Sequence, residues 1–200
     1  MTRFDPAAPG DHAPIAGPYD VFLRPITEAD LPDLLRWRQD PEVEAFCDVA
    51  PADLEACREE FLDVDVAPVW RFVIEWAGRG VGNIEYNHPW ADTDYLWSAA
   101  IDIFIGEADA RDRGVGTEAV RTMLKFLFEE KGVHRVTIDP EVDNMRAIRA
   151  YQKAGFRLDG MLRHNDRFAD GRYVDTQYLS ILEDEWPEAR TRWESERGPA

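Results

Sequence analysis

Apolar residues recur along this chain in two periods, and the switches between them predict the elements. Val21–Pro25 reads as a first strand. Thr27 then opens a helix to about Gln39, with Leu31, Leu34 and Leu35 on one face and Asp30 in the position of a capping-box partner. A second helix is predicted from Asp53 to Leu62, and the intervening Pro41–Ala50, mixed acidic and aromatic, suits one wall of a substrate site. Trp70–Trp76, Val81–Tyr86 and Leu96–Ile105 read as consecutive strands, with Gly78 and Gly80 supporting a tight turn between the first two. A long helix follows from about Gly114 to Lys131, because Val120, Met123, Leu124 and Leu127 fall on one stripe. Arg135–Ile138 is a short strand stopped by Pro140, and Asn144–Ala154 a helix that Gly155 ends. Phe156–Arg163 and Tyr173–Leu182 form a closing hairpin over an Asp170-Gly171 turn.

Strands first, then strand–helix–strand–helix–strand, predict an α/β (α+β) domain: a mixed sheet of about seven strands with helices on both faces. Residues 1–18, rich in Pro, Ala and Gly, read as a flexible arm, 19–183 as the domain and 184–200 as a charged, partly ordered tail. With 44% hydrophobic residues, seven Trp and ten Phe, the chain has bulk for a core that needs no disulfide or metal. Cys47 and Cys57 lie in no Cys or His cluster and read as two ordinary thiols. The four histidines lack ligand spacing, so no metal is expected.

Charge narrows the function. A net charge of −17 argues against nucleic acid as a partner. No apolar run reaches membrane-spanning length and no signal pattern opens the chain, so no membrane partner and a cytoplasmic location are expected. The acidity itself serves solubility, or draws in a cationic substrate.

Against that background the stretch Arg111-Asp112-Arg113-Gly114-Val115-Gly116-Thr117 stands out, between a strand and a long helix. Its glycines let main chain approach a ligand, and its amides lie unpaired at a helix N-terminus, where a pyrophosphate gains hydrogen bonds and dipole attraction together. Arg121 and Lys125 follow on the same helix, and Arg146, Arg149 and Lys153 on the next. Coenzyme A, with its pyrophosphate and 3′-phosphate, matches such a group, although each of these residues taken singly suits a surface ion pair. Gly114-x-Gly116-x-x-Ala119 with Asp139 also fits a dinucleotide fingerprint. The leading arginines and the mid-chain position weigh against that alternative.

Arg111-x-x-Gly114-x-Gly116 resembles the Q/R-x-x-G-x-G/A signature of the GNAT acetyltransferases, and Asp143–Phe156 (DNMRAIRAYQKAGF) resembles their second hallmark. The resemblance spans roughly Val21–Leu182. Ile101–Glu107 and Ile138–Phe156 are similar to segments of aminoglycoside 6′-N-acetyltransferases, whereas the C-terminal hairpin resembles the ribosomal-protein N-terminal acetyltransferase branch. The resemblance implies the GNAT fold and acetyl-CoA as cosubstrate. It assigns Arg111, Arg113, Gly114, Val115, Gly116 and Thr117 to the phosphates, Phe104 and Ile105 amides to the pantetheine and thioester, and Asn144 to the cofactor arm. Many relatives with this hairpin pair as homodimers.

Acetyl transfer to an amine needs a proton acceptor for the amine, a stabilised oxyanion and a proton for the leaving thiolate. Alternation puts Ile101, Ile103 and Ile105 on one face and Ala100, Asp102 and Phe104 on the other. A carboxylate in so apolar a strand needs a partner or a function, which makes Asp102 the candidate base, or an anchor for the substrate amine as the aminoglycoside resemblance implies. Structural hydrogen bonding at a strand bulge is the competing role. Glu85 and Asp139 are lesser candidates for the same work. The resemblance makes Tyr151, about two helical turns beyond Asn144, the donor to the thiolate; a core aromatic is its competing role. The leading expectation is acetylation of a cationic small-molecule amine of aminoglycoside type, by direct transfer. The alternatives are a protein N-terminus as acceptor and a non-catalytic CoA-binding protein.

Overall fold

A computed structural model describes residues 14–16, 21–47, 49–63, 69–87, 98–168 and 171–196. Its strands are β1 (Ile15–Ala16), β2 (Val21–Pro25), β3 (Val69–Trp76), β4 (Arg79–Asn87), β5 (Ser98–Ile105), β6 (Arg135–Ile138), β7 (Arg157–Arg167) and β8 (Tyr173–Leu182). They form one sheet in the order β1-β2-β3-β4-β5-β6-β8-β7. Neighbours are antiparallel except β5 and β6, which run parallel. The α-helices are α1 (Leu31–Arg38), α2 (Pro41–Glu44), α3 (Leu54–Phe61), α4 (Val115–Lys125), α5 (Met145–Ala154) and α6 (Trp186–Ser195).

The larger core gathers Leu23, Phe72, Ile74, Tyr86, Ile101, Val136 and Leu179 of the sheet under Val120, Met123 and Leu124 of α4. Tyr151 and Ala154 of α5 and Trp186 and Trp193 of α6 close it. A smaller core packs Leu34 and Trp37 of α1 and Cys57 and Phe61 of α3 on Ile26 and Val73. Helices therefore cover both faces of the mixed sheet, as the element order predicts. Among the described residues no helix is long and apolar enough to cross a membrane.

Local chemistry explains most boundaries. Thr27 and Asp30 form the capping box, entered through a 3-10 turn at Glu28–Asp30. Asp53 caps α3 and Asn144 caps α5, each accepting from the backbone N–H three residues on. The β3–β4 hairpin turns on Ala77 and Gly78, both left-handed, as a two-residue connection requires. Gly80, expected in that turn, instead lies in β4 opposite Glu75, beside a bulge. The long helix loosens after Lys125, and Phe126–Lys131 is π-helical.

The tail from 184 onward is not simply a charged extension: Trp186–Ser195 is helical, because Trp186, Ala189 and Trp193 bury one stripe among the charges. Ile15 and Ala16, read within the arm, pair with Leu23 and Phe22. Leu96 and Asp170 lie outside the described residues.

Candidate active site

The parallel junction of β5 and β6 opens into a cleft. Among the described residues, Ser98, Ala99 and Ala100 of β5 register with β6, against Arg135, Val136 and Thr137, and β5 then runs on through Ile105. Two main-chain groups of this run bond to side chains instead of a strand. The Ile103 amide donates to Asp102 Oδ1 at 2.7 Å, and the Ile105 carbonyl accepts from Arg111 Nε at 3.0 Å. A cavity of about 620 Å³ fills the gap, walled by β4, β5, α2, the N-terminus of α4, α5 and the β7 end of the hairpin.

At one wall α4 begins. Gly114 is its N-cap with φ of 82°, a left-handed conformation that side chains resist, and Asp112 before it is also left-handed. Gly116 faces Ile105, whose Cγ1 would lie 3.6 Å from an added Cβ, and Gly114, Gly116 and Thr117 line the cavity at this end of the helix. The turn before it is fastened by Arg111. Its side chain is buried, and donates to the Ile105 and Gly106 carbonyls and to the carboxylates of Asp40 and Glu42. Gly106 is a place of close approach: a Cβ there would lie 2.0 Å from Trp37 Cγ.

Carboxylates line the same cavity. Glu85, Asp102, Asp139, Glu141 and Asp166 all line the cavity. Burial pushes Glu85 up to about 7, with Arg71 opposing and Asp102 adding to the shift. Burial also raises Asp139, helped by Asp166 and Asp102 and opposed by a hydrogen bond from Asn165 Nδ2 at 3.0 Å. Tyr151 is buried, and burial followed by the negative charges of Asp102, Cys47 and Asp139 raises its phenol well above the usual range. Its hydroxyl therefore keeps its proton at neutral pH. Arg146, Arg149 and Lys153 of α5 supply positive charge to the same cavity.

Of the residues expected at the site, Glu85, Asp102, Phe104, Ile105, Arg111, Gly114, Gly116, Thr117, Asp139, Asn144 and Tyr151 come together around this cavity. Arg113 and Val115 do not line it: Arg113 is exposed, and Val115 turns into the core. The Arg111 guanidinium is committed to the protein's own carboxylates and carbonyls. Pro41–Ala50 contributes Glu42, Val43, Phe46 and Cys47, as its composition suggested, whereas His88–Tyr95 lies outside the described residues. Cys57 is buried with Sγ 3.7 Å from the Leu31 carbonyl, and neither cysteine is in a disulfide. Sequence reasoning missed Glu141, Asp166, Arg167 and Phe168, because the hairpin's approach to the cleft depends on its pairing beside β6.

A family model for the acetyltransferase (GNAT) domain matches residues 20–157. The chain belongs to the GNAT acetyltransferase family. This acetyltransferase is 28% identical over 157 residues to aminoglycoside N(6′)-acetyltransferase type 1 of Klebsiella pneumoniae, covering 73% of this chain and 78% of that one. A structure from T. thermophilus, also described as an acetyltransferase, superposes with a TM-score of 0.78 at 28% identity, covering 92% of this chain and 96% of that one. Aminoglycoside acetyltransferase AAC(6′)-Ib, solved with coenzyme A and kanamycin, superposes with a TM-score of 0.72 at 25% identity, covering 85% and 99%. Membership makes the chain an N-acetyltransferase.

Proposed function

We propose that this N-acetyltransferase moves an acetyl group from acetyl-CoA to a primary amine of a cationic small molecule of aminoglycoside type, at a 6′-like amine. The observation that carries the reading is the divided charge of one cavity. Glu85, Asp102, Asp139, Glu141 and Asp166 suit a polycation, while the α4 amides and the basic residues of α5 suit phosphates. Relatives named for aminoglycoside acetylation, one of them solved with coenzyme A and kanamycin, support both halves.

The residues present fit coenzyme A on their own chemistry. Gly114, Gly116 and Thr117 offer an open helix N-terminus, and β5 offers main-chain groups that no strand takes along the cleft. Acetyl-CoA would supply an activated acyl group, and the chain's own part is to hold, orient and manage protons. Asp102, its Oδ1 already set by the Ile103 amide, faces the cavity where an ammonium would be held. Tyr151 lines the cavity and keeps its proton, and because burial makes its phenol a weaker acid than usual, its part is a hydrogen bond to the leaving thiolate rather than an easy proton transfer. Orientation of the two reactants in one cavity adds to both effects.

Free-thiol release from acetyl-CoA, measured against kanamycin-type aminoglycosides, spermidine and short ribosomal-protein N-terminal peptides, tests the reading. Turnover with the aminoglycosides is the expected result. Turnover confined to the peptides would move the acceptor to a protein N-terminus.

A further inference from the structure

A row of charge crosses three strands at the cleft. Arg71 of β3 is the register partner of Glu85 of β4, and Glu85 is the register partner of Asp102 of β5. Directly opposed residues of antiparallel strands carry side chains on one face with Cβ atoms about 4.5–5.5 Å apart. Arg71 Nε stands 2.8 Å from Glu85 Oε2, yet neither its Nε nor its Nη1 completes a hydrogen bond.

The two carboxylates differ in surroundings. Glu85 is only 22% exposed, whereas Asp102 is exposed in the cavity. Pairs of carboxylates in unlike environments divide acid and base work. An alkylamine acceptor has a pKa of about 10, as lysine does, and arrives at neutral pH as an ammonium. A well-solvated carboxylate holds such a cation without accepting its proton. The proton acceptor is best matched when its own pKa lies near the working pH.

We propose that Glu85 accepts the proton of the incoming amine, that Asp102 anchors the ammonium, and that Arg71 is a positioning residue that keeps Glu85 ionised. The proposal rests on the acetyltransferase reading above. The ammonium passes one proton to a Glu85 carboxylate oxygen. Its freed lone pair forms the carbon–nitrogen bond as the carbon–sulfur bond breaks. The second N–H proton balances the proton taken up at sulfur, and Glu85 returns its own to solvent. Burial lifts Glu85 to about 7, into the range the task needs. The charged groups acting on it are Arg71 from β3, Asp102 from β5 and Glu60 from α3, the last itself paired with Arg38 at 3.2 Å.

The test is the pH dependence of kcat/KM for the full chain with acetyl-CoA and its best acceptor. Wild type is expected to show an acid limb centred near 7. Glu85→Gln should lose that limb and about 100-fold in rate, with acetyl-CoA affinity unchanged. Asp102→Asn should raise KM for the charged acceptor and keep the limb. Arg71→Met should move the limb to higher pH. An acceptor amine too weakly basic to be charged at neutral pH should show no limb with wild type and little loss with Glu85→Gln. That comparison needs only wild type should the variant fold poorly. A working transferase whose Glu85→Gln form keeps both rate and limb overturns the proposal alone, as does a wild-type limb that persists unchanged with the uncharged acceptor. Bound acetyl-CoA with no transfer to any amine overturns the functional reading, and the proposal with it.

Discussion

Trp193 Nε1 donates to Glu118 Oε2 across 2.9 Å, so the last helix is fastened to the first turn of α4. Arg121 completes the clasp, bonding Glu118 at 3.0 Å and Glu196 at 2.9 Å with its guanidinium over the Trp193 ring. Trp193→Ala is expected to destabilise the fold by about 3–5 kcal/mol, the usual range for a buried aromatic truncated in a core. Urea unfolding checks it. An effect under about 1 kcal/mol, the size of an ordinary surface change, would show α6 to be peripheral.

Arg111 joins α2 to the loop before α4 through Asp40 and Glu42. Arg111→Lys retains charge but not the fork, so it cannot reach two carbonyls and two carboxylates together. Stability should fall by roughly 3 kcal/mol, and acetyl-CoA affinity should weaken through the loosened loop. Calorimetric titration beside a denaturation curve separates the two effects.

Gly116 has room for a methyl group but not for a large side chain. Gly116→Ala should bind acetyl-CoA nearly as wild type does, because a Cβ there meets Ile105 at ordinary contact distance. Gly116→Trp should abolish binding by covering the α4 amides. Normal affinity in the tryptophan variant would remove the cofactor from this helix end.

Tyr151→Phe removes one hydroxyl from a buried ring and leaves its packing beside Phe156, 6.2 Å away. Turnover should drop by about 100-fold with acetyl-CoA affinity retained, as single-turnover and binding measurements would show. An unchanged rate would leave Tyr151 a core aromatic only.

Glu85 also writes a pH dependence into stability. Its ordinary value is 4.5 and burial lifts it to about 7 in the folded chain. Between those values the folded state keeps a proton that the unfolded state has released, so stability falls as pH rises. Relative to Glu85→Gln, wild type should lose up to about 3 kcal/mol across this window and nothing further outside it. Urea midpoints of both proteins through the window give the sign directly.

The sequence made local features legible where local physics decides them. Val21–Pro25 and Arg135–Ile138 occur with the predicted bounds, and Asn144 and Gly155 mark α5 by capping chemistry alone. The cavity gathers Asp102, Tyr151 and the glycine loop because motif and alternation constrain them. Partnership across strands was less accessible. That Glu85 stands opposite Asp102, or that Asp166 reaches the cleft, depends on register and strand order, which no single segment encodes. α6 was missed for another reason: its Trp186, Ala189 and Trp193 stripe is diluted by the charges around it. Arg111 looked like a phosphate ligand, since a sequence cannot show that Asp40 and Glu42, some seventy residues earlier, meet it first.

Beyond Ala100 β5 keeps β4 on one side but has no register partner in β6, so that edge presents peptide groups, which every residue type carries alike. A docking edge made of them is inherited as a shape and not as a spelling. Drift in the side chains leaves it standing, provided the strands still part at the same point. Chains that agree at little more than a quarter of their positions can thus superpose along most of their length, and the walls around the edge are left free to suit different acceptors.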